Sequence, residues 1–538
     1  MPKVTINGQE LEVEAGKTVI QAALEAGIDV PHYCYHPDLP VDGNCRMCLV
    51  DVEKMPKLTP SCTTVVSEGM VVRTDNDRVK TAVRGVLEFL LINHPVDCPV
   101  CDQAGECRLQ DYYMVYGLHT SEIPLSMKVR KRKVIDLGPM VVLDQERCVL
   151  CSRCIRFFDH VTKTGEMQFF GRGDHVAIGT FEDQPLENPY SGNVVDICPV
   201  GALTSRDFRF KCRVWFLHST DSVCGGCSTG CSMRIDHRDG TIFRLLPRRN
   251  AEVNRSWLCD EGRISFHELM AGERVVRPLV KGRDGLQAPV TWDDAVRSIN
   301  SALKDTADKH GPESILGFAS PSATNEALYL FRQYLSGQFG ASRFEFRSGS
   351  EDSKVTAQED DVLRHVDKHP NTMGALNLGL ASEELGGIGG AIAAARSGRI
   401  KAGVVMYFKP LVPRPGDEEA EARVAELVRS LEYSVVLAPH RADWLSDASV
   451  VLPVAAWSEE EGTYTNFQGR VQFAGKAINP GGDIQPVWEV FANLLYASGD
   501  NALWLSVDDV FGRLSETVPG YKGVLLAEAK TVGALPTP

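Results

Sequence analysis

A chain of 538 residues with 43% hydrophobic and 24% charged content exceeds what one core organises, which predicts several domains and excludes a disordered or fibrous chain. Its 57 basic against 71 acidic residues leave a net charge of -14, which argues against binding by phosphate neutralisation, so nucleic acid is not an expected partner. The start carries neither a basic nor an apolar targeting region, and no window has the uninterrupted apolar length of a membrane span, so a soluble, unexported chain is expected.

All sixteen cysteines lie between Cys34 and Cys259. In the reducing compartment of an unexported chain, grouped cysteines read as metal thiolates rather than disulfides. Ahead of them, short runs around Asn7-Gly8 predict a β-hairpin, and residues 18–26 a helix with Val19, Ile20, Ala23 and Leu24 on one face. Strands are expected at 48–52 and 70–73. The first set, Cys34, Cys45, Cys48 and Cys62, has one tight pair. The plant-type [2Fe-2S] pattern is C-x4-C-x2-C with a distant fourth cysteine. The first gap here is longer, so the hairpin, helix and strands carry the reading of a β-grasp ferredoxin. A zinc site is disfavoured because such sites usually use two tight pairs.

Apolar residues at helical spacing from Val79 to Leu91 predict a helix that Pro95 closes. Beyond it stand Cys98, Cys101 and Cys107, one ligand short of four, and His94 at the helix end is the candidate to complete them. A neutral imidazole in place of a thiolate makes a cluster less negative and raises its potential, and a second-shell acceptor is expected on the other ring nitrogen. The run 128–133 is read as a solvated linker.

The third set is Cys148, Cys151 and Cys154 with Cys198 far downstream. Bacterial ferredoxins write C-x2-C-x2-C-x3-C-P, the fourth cysteine serving another cluster. That near fourth cysteine is missing and Cys198-Pro199 supplies a distant one, so one [4Fe-4S] cluster is implied. The fourth set is Cys224, Cys227, Cys231 and Cys259, with Gly225, Gly226 and Gly230 allowing close wrapping. Cys212 is left over and reads as an inert thiol in a core or strand position. After Cys259 the pattern changes to alternating helices and short apolar strands. Thr291 caps a helix running through Leu303, and strands are expected at 314–319, 400–407 and 434–438, with a helix at 325–335, as in an α/β domain with parallel strands. The Gly386 to Gly390 tract lacks a phosphate-binding fingerprint and reads as close packing.

The motifs in this order, Cys45-Arg46-Met47-Cys48, His94-Pro95-Val96-Asp97-Cys98-Pro99-Val100-Cys101, Cys148-Val149-Leu150-Cys151-Ser152-Arg153-Cys154 and Cys198-Pro199-Val200-Gly201-Ala202-Leu203, resemble the large iron-sulfur subunit of bacterial respiratory complex I, the G subunit of NADH:quinone oxidoreductase. Downstream, Glu461-Gly462-Thr463-Tyr464-Thr465-Asn466-Phe467-Gln468-Gly469-Arg470 looks like the molybdopterin oxidoreductase family. The fold class expected is multidomain α/β and α+β. Residues 1–78 are a [2Fe-2S] ferredoxin-type domain, 79–118 a helical [4Fe-4S] domain with one histidine and three cysteine ligands, 138–216 a [4Fe-4S] ferredoxin-like domain and 217–273 a [4Fe-4S] domain of molybdopterin-oxidoreductase type. Residues 274–538 are a truncated molybdopterin oxidoreductase-like scaffold. One [2Fe-2S] and three [4Fe-4S] clusters are expected, with no molybdopterin and no catalytic centre in this chain.

The resemblance implies electron transfer from a flavin-bearing NADH-oxidising subunit toward quinone. Its implied partners are that subunit, a ferredoxin-like iron-sulfur subunit and the quinone module, in a peripheral arm on the cytoplasmic side of the inner membrane. The alternative, which the cluster motifs do not exclude, is the iron-sulfur subunit of a soluble NAD-linked hydrogenase or formate dehydrogenase complex.

Overall fold

A computed structural model describes residues 1–120, 123–348, 354–413 and 416–536, and the chain divides into two compact units, 1–217 and 218–538. In the first unit Asn7 (φ 50°) and Gly8 (φ 85°) take the left-handed conformation that a two-residue hairpin turn requires, joining β1 (Lys3–Ile6) to β2 (Gln9–Glu12). With β3 (Leu49–Val52), β4 (Thr59–Pro60) and β5 (Met70–Arg73) they form a sheet of order β2-β1-β5-β3-β4, in which β1 and β5 run parallel. Helix α1 (Val19–Glu25) opens on a capping box of Thr18 and Gln21 and buries Val19, Ile20 and Ala23 against Val4, Ile6, Val50 and Val72. Leu24, expected on that face, is 38% exposed, because Ala22 takes its place in the buried stripe.

Helix α2 (Asp77–Leu91) starts where Asn76 accepts from the Val79 amide at 2.9 Å. At its far end the carbonyls of Leu91, Ile92 and His94 all accept from Lys128 Nζ at 2.9 Å, satisfying groups a helix end leaves orphaned. The basic run is therefore solvated only in part: Lys128 is buried, while Arg130, Arg132 and Lys133 stay exposed. Lys131 donates to the Val176 carbonyl, Arg132 pairs with Asp183 at 2.9 Å and Lys133 with Glu146 at 2.8 Å, so carbonyls and acids drawn from distant sequence hold it.

Helix α3 (Arg108–Tyr116) follows the second cysteine set. Strands β6 (Ile135–Asp136) and β7 (Val141–Leu143) then lead to α4 (Arg153–His160), which begins inside the third. A hairpin of β8 (Gln168–Phe170) and β9 (Ala177–Gly179) and helix α5 (Asn193–Ile197) complete the excursion before β10 (Leu203–Ser205) closes a sheet of order β10-β7-β6.

The second unit opens with an antiparallel sheet of β11 (His218–Val223), β12 (Ser232–Arg238) and β13 (Thr241–Pro247). Its main sheet has the order β15-β14-β20-β19-β18-β16-β17, where β14 (Leu279–Lys281) and β15 (Gln287–Pro289) form an antiparallel edge. Strands β16 (Ile315–Phe318), β17 (Arg343–Glu345), β18 (Ala402–Met406), β19 (Tyr433–Ala438) and β20 (Val450–Pro453) are parallel. Val404, Val405, Val435 and Val436 are fully buried, each stabilising by about 1.5–3 kcal/mol relative to exposure, as strands covered on both faces require.

The helix Trp292–His310 starts at Thr291, whose Oγ1 accepts from the Asp294 amide at 3.2 Å. The helix expected at 325–335 is α-helical over Asn325–Arg332 and then widens into a π-helical turn, Gln333–Gln338. Strands β21 (Gly462–Thr465) and β22 (Val471–Ala474) form a buried hairpin. Among the described residues no helix is long and apolar enough to cross a membrane.

Candidate metal centres

The first cysteine set lies in the loops before β3 and after β4. Cys34, Cys48 and Cys62 are buried and Cys45 half-buried. Hydrogen-bonding contacts run from Cys34 to Cys45 and Cys62, and from Cys62 to Cys48, so the structure brings all four together. Contact with Cys34, with burial, pushes the Cys45 thiol up, while the same contact pulls Cys34 down. The four sulfurs thus form one donor set.

His94, Cys98, Cys101 and Cys107 line a single cavity with apolar Leu91, Ala104 and Leu109. Burial pushes the Cys107 thiol up to about 11 and His94 down to about 4, leaving the imidazole neutral with a lone pair to offer. The second-shell acceptor expected for this ring is not what Nδ1 meets: it accepts from the Val96 amide at 3.0 Å, because Pro95 turns the chain back over the ring. A ring binding iron through Nε2 would carry its proton on Nδ1 and give up this bond. Gly201, from the motif that follows Cys198, closes the cavity. A Cβ there would lie 2.3 Å from Cys101 Sγ. Beside the cavity Arg147 grips Asp97 with two hydrogen bonds, 3.0 and 2.6 Å.

Cys148, Cys151, Cys154 and Cys198 line a second cavity, to which the β8–β9 hairpin contributes Ile178. Leu150 (φ 53°) and Ser152 (φ 63°) alternate into the left-handed region, folding the loop so that the Leu150 amide points at Cys148 Sγ at 3.4 Å. Burial and neighbouring Cys151 push the Cys198 thiol up to about 12.

In the second unit Cys224, Cys227, Cys231 and Cys259 are all buried. The Cys224 amide donates to the Cys231 carbonyl at 2.8 Å, and a Cβ on Gly262 would lie 3.1 Å from Cys224 Sγ and 3.3 Å from Cys259 Sγ, which sets those sulfurs side by side. Burial and Cys227 push Cys224 up to about 12. The hairpin β21–β22 braces this loop: Gln472 Nε2 donates to the Gly230 carbonyl at 2.8 Å and Asn466 Nδ2 to the Thr229 carbonyl at 3.2 Å. The stretch 463–472 is thus a packing element of this centre.

Among the described residues no three His, Cys, Asp or Glu side chains are gathered as on a single metal ion. The donor sets fit iron-sulfur clusters in their chemistry, since buried thiols with raised pKa values become thiolates when a cationic metal compensates the charge. Cys212, expected in a core or strand, is half-buried in the loop between β10 and β11, where its sequence neighbours Phe210 and Trp215 are exposed. Contacts that sequence spacing did not reveal are those of Gly201, Ile178, Gln472 and the α4 arginines. The arginines alone left a signal, as cations at i and i+3 among cysteines.

Five family models match the chain. They are a 2Fe-2S iron-sulfur cluster binding domain (residues 2–77), an NADH-ubiquinone oxidoreductase-G iron-sulfur binding region (84–122), an NADH-quinone oxidoreductase subunit 3 ferredoxin-like domain (138–204), an NADH-ubiquinone oxidoreductase NDSU1/NuoG-like 4Fe-4S domain (217–267) and molybdopterin oxidoreductase (274–372 and 362–497). The G subunit of NADH-quinone oxidoreductase from Rickettsia bellii is 41% identical over 351 residues, 64% of this chain and 50% of that protein. The mitochondrial NADH-ubiquinone oxidoreductase 78 kDa subunit of Candida albicans is 31% identical over 623 residues, 96% of this chain and 85% of that protein. The matches to the Rickettsia proteins span about half of their length. A chain from the crystal structure of an NAD+-reducing [NiFe]-hydrogenase in the H2-reduced state aligns at 27% identity over 40% of this chain and 91% of its own, with a TM-score of 0.36, too slight a likeness to bear on function.

Proposed function

Because the chain belongs to the family that unites the G subunit of NADH:quinone oxidoreductase with the 75–78 kDa iron-sulfur subunits of complex I, we propose that it is an electron-carrying subunit, passing electrons from a flavin-bearing NADH-oxidising partner toward quinone. The ligands assigned are Cys34, Cys45, Cys48 and Cys62 for one [2Fe-2S] cluster; His94, Cys98, Cys101 and Cys107, then Cys148, Cys151, Cys154 and Cys198, then Cys224, Cys227, Cys231 and Cys259 for three [4Fe-4S] clusters. Bound clusters supply one-electron carriers. The chain's residues supply thiolates, a neutral imidazole, apolar walls that keep water out, and amides aimed at sulfur, such as that of Gly262 to Cys259 Sγ at 3.3 Å.

The observation that carries this reading is that two cavities are each lined by one complete set of four expected ligands. The five-part domain division and a position in the peripheral arm on the cytoplasmic side belong to the same reading. So does docking to the flavin-bearing, ferredoxin-like and quinone-module subunits. Purification of the intact complex with its neighbours identified by mass spectrometry tests it. Flavin-bearing and membrane-spanning neighbours support it, and a nickel-iron or molybdenum catalytic neighbour contradicts it.

Residues 274–538 are assigned as a scaffold holding neither pterin nor metal. At the start of the helix Ile388–Arg396, where a phosphate would otherwise find backbone donors, the Gly387 amide already donates to Glu345 Oε2 at 2.9 Å, a carboxylate that Arg347 also holds, so that donor is taken. Molybdenum or tungsten co-purifying at about one atom per chain would defeat this assignment.

A further inference from the structure

Helix α4 carries Arg153 and Arg156 on one face, each 7% exposed. Arg156 Nη2 donates to the carbonyl of Cys34 and, at 3.4 Å, to that of Cys151; its Nη1 donates to the Pro40 carbonyl and its Nε to Ser152 Oγ at 3.0 Å. Arg153 donates to the Tyr35 carbonyl and, at 3.0 Å, to that of Ile197, the residue before Cys198, while its Nε has no hydrogen-bond partner among the described residues. Each guanidinium therefore ties the Cys34 to Pro40 loop of the first set to a ligand loop of the third.

Every one of these acceptors is neutral. A carboxylate, Asp42, is reached through the Ser152 hydroxyl. The buried arginine beside the second set differs, since Arg147 is neutralised by Asp97 in a bidentate pair, with Asp144 at 3.5 Å. Two buried cations without a directly paired anion are strongly unfavourable unless a negative group nearby compensates them. Carbonyl dipoles orient a guanidinium but do not cancel its charge.

We propose that Arg153 and Arg156 are the resident counter-ions of the two clusters assigned to the first and third sets, and positioning residues that hold the potentials of both centres up together. The proposal rests on the cluster assignment above. A cluster with four thiolate ligands is anionic and becomes more so on reduction, so a fixed cation touching ligand carbonyls of both sets favours the reduced form of each. The charge is shared, so its loss moves two centres at once. The second set, whose arginine is already paired, is the internal control.

The test is a redox titration of the intact complex followed by its paramagnetic spectrum, with iron content measured on each sample. Arg156→Gln is expected to lower the midpoint potentials of the first-set and third-set centres by about 59 mV, tenfold in the reduction equilibrium of a one-electron couple, with the second-set centre unmoved. Arg156→Lys, which keeps the charge, should hold both potentials near wild type. Asp42→Asn, at an exposed position, should raise them, so a failure of Arg156→Gln to load clusters leaves a variant of opposite sign. Unmoved potentials at normal iron content, or an equal drop in Arg156→Lys and Arg156→Gln, would overturn the counter-ion role and leave a mechanical clamp. Wild-type complex without iron in this chain would remove the cluster assignment and the counter-ion role with it.

Discussion

Gly201 shows how closely single atoms are set in this chain. Any side chain at that position would enter the space of Cys101 Sγ, well inside contact distance. Gly201→Ala is therefore expected to cost the second-set centre, about four iron atoms, while the third-set centre, whose ligand Cys198 is nearby in sequence, stays. Loss of the third-set signal instead would show that the glycine serves its own motif. His94→Cys should keep a cluster and lower its potential, because a thiolate is more negative than the neutral imidazole it replaces; unchanged titration curves would make His94 a helix-end residue. The spacing of cysteines was readable because the loop ligands of one cluster stand close together in sequence. The contact of Gly201 with Cys101 was not, because it joins residues a hundred positions apart, and no local pattern encodes such a meeting.

At the level of elements, the buried carboxyls behind the β21–β22 hairpin make stability depend on pH. Burial pushes Glu326 up to about 7, with Thr463 donating to it through its amide and hydroxyl, each at 2.8 Å. Burial also pushes Glu460 up to about 8, next to the Val487 amide at 2.9 Å. Both are raised above the unfolded carboxylate range, so the folded chain holds protons that the unfolded chain has lost. Their stabilising contribution is full below about pH 4.3 and falls as pH rises through 7 to 8, at most about 1.4 kcal/mol per group per unit. Six of the seven tryptophans lie in the second unit, so urea unfolding followed by tryptophan fluorescence should show the decline, and Glu460→Gln should flatten it. A profile that rises over pH 5 to 8, or is identical in the variant, contradicts this.

Elements with a strong local signal were legible: Asn7-Gly8 dictates its hairpin, Thr291 caps its helix, and the apolar runs around Val404 and Val435 became buried parallel strands. The misread stretches were those whose state depends on distant partners. Lys128 looks solvated until the end of α2 is brought to it.

At the scale of the molecule the two units divide the work unevenly. The first carries three donor sets in 217 residues, and the second carries one beside a large parallel sheet. No catalytic acid, base or nucleotide cradle is needed for an electron carrier, and the isolated chain is expected not to oxidise NADH; turnover comparable with the complex would contradict the proposed role. The central claim is that fifteen cysteines and one histidine hold four clusters. Iron and sulfide analysis of the anaerobically prepared chain, combined with its redox-titrated paramagnetic spectrum, tests that claim most directly. The account predicts about 14 iron atoms per chain and four separable centres, one of them of [2Fe-2S] type. Half that iron, with stoichiometric zinc in its place, would contradict it.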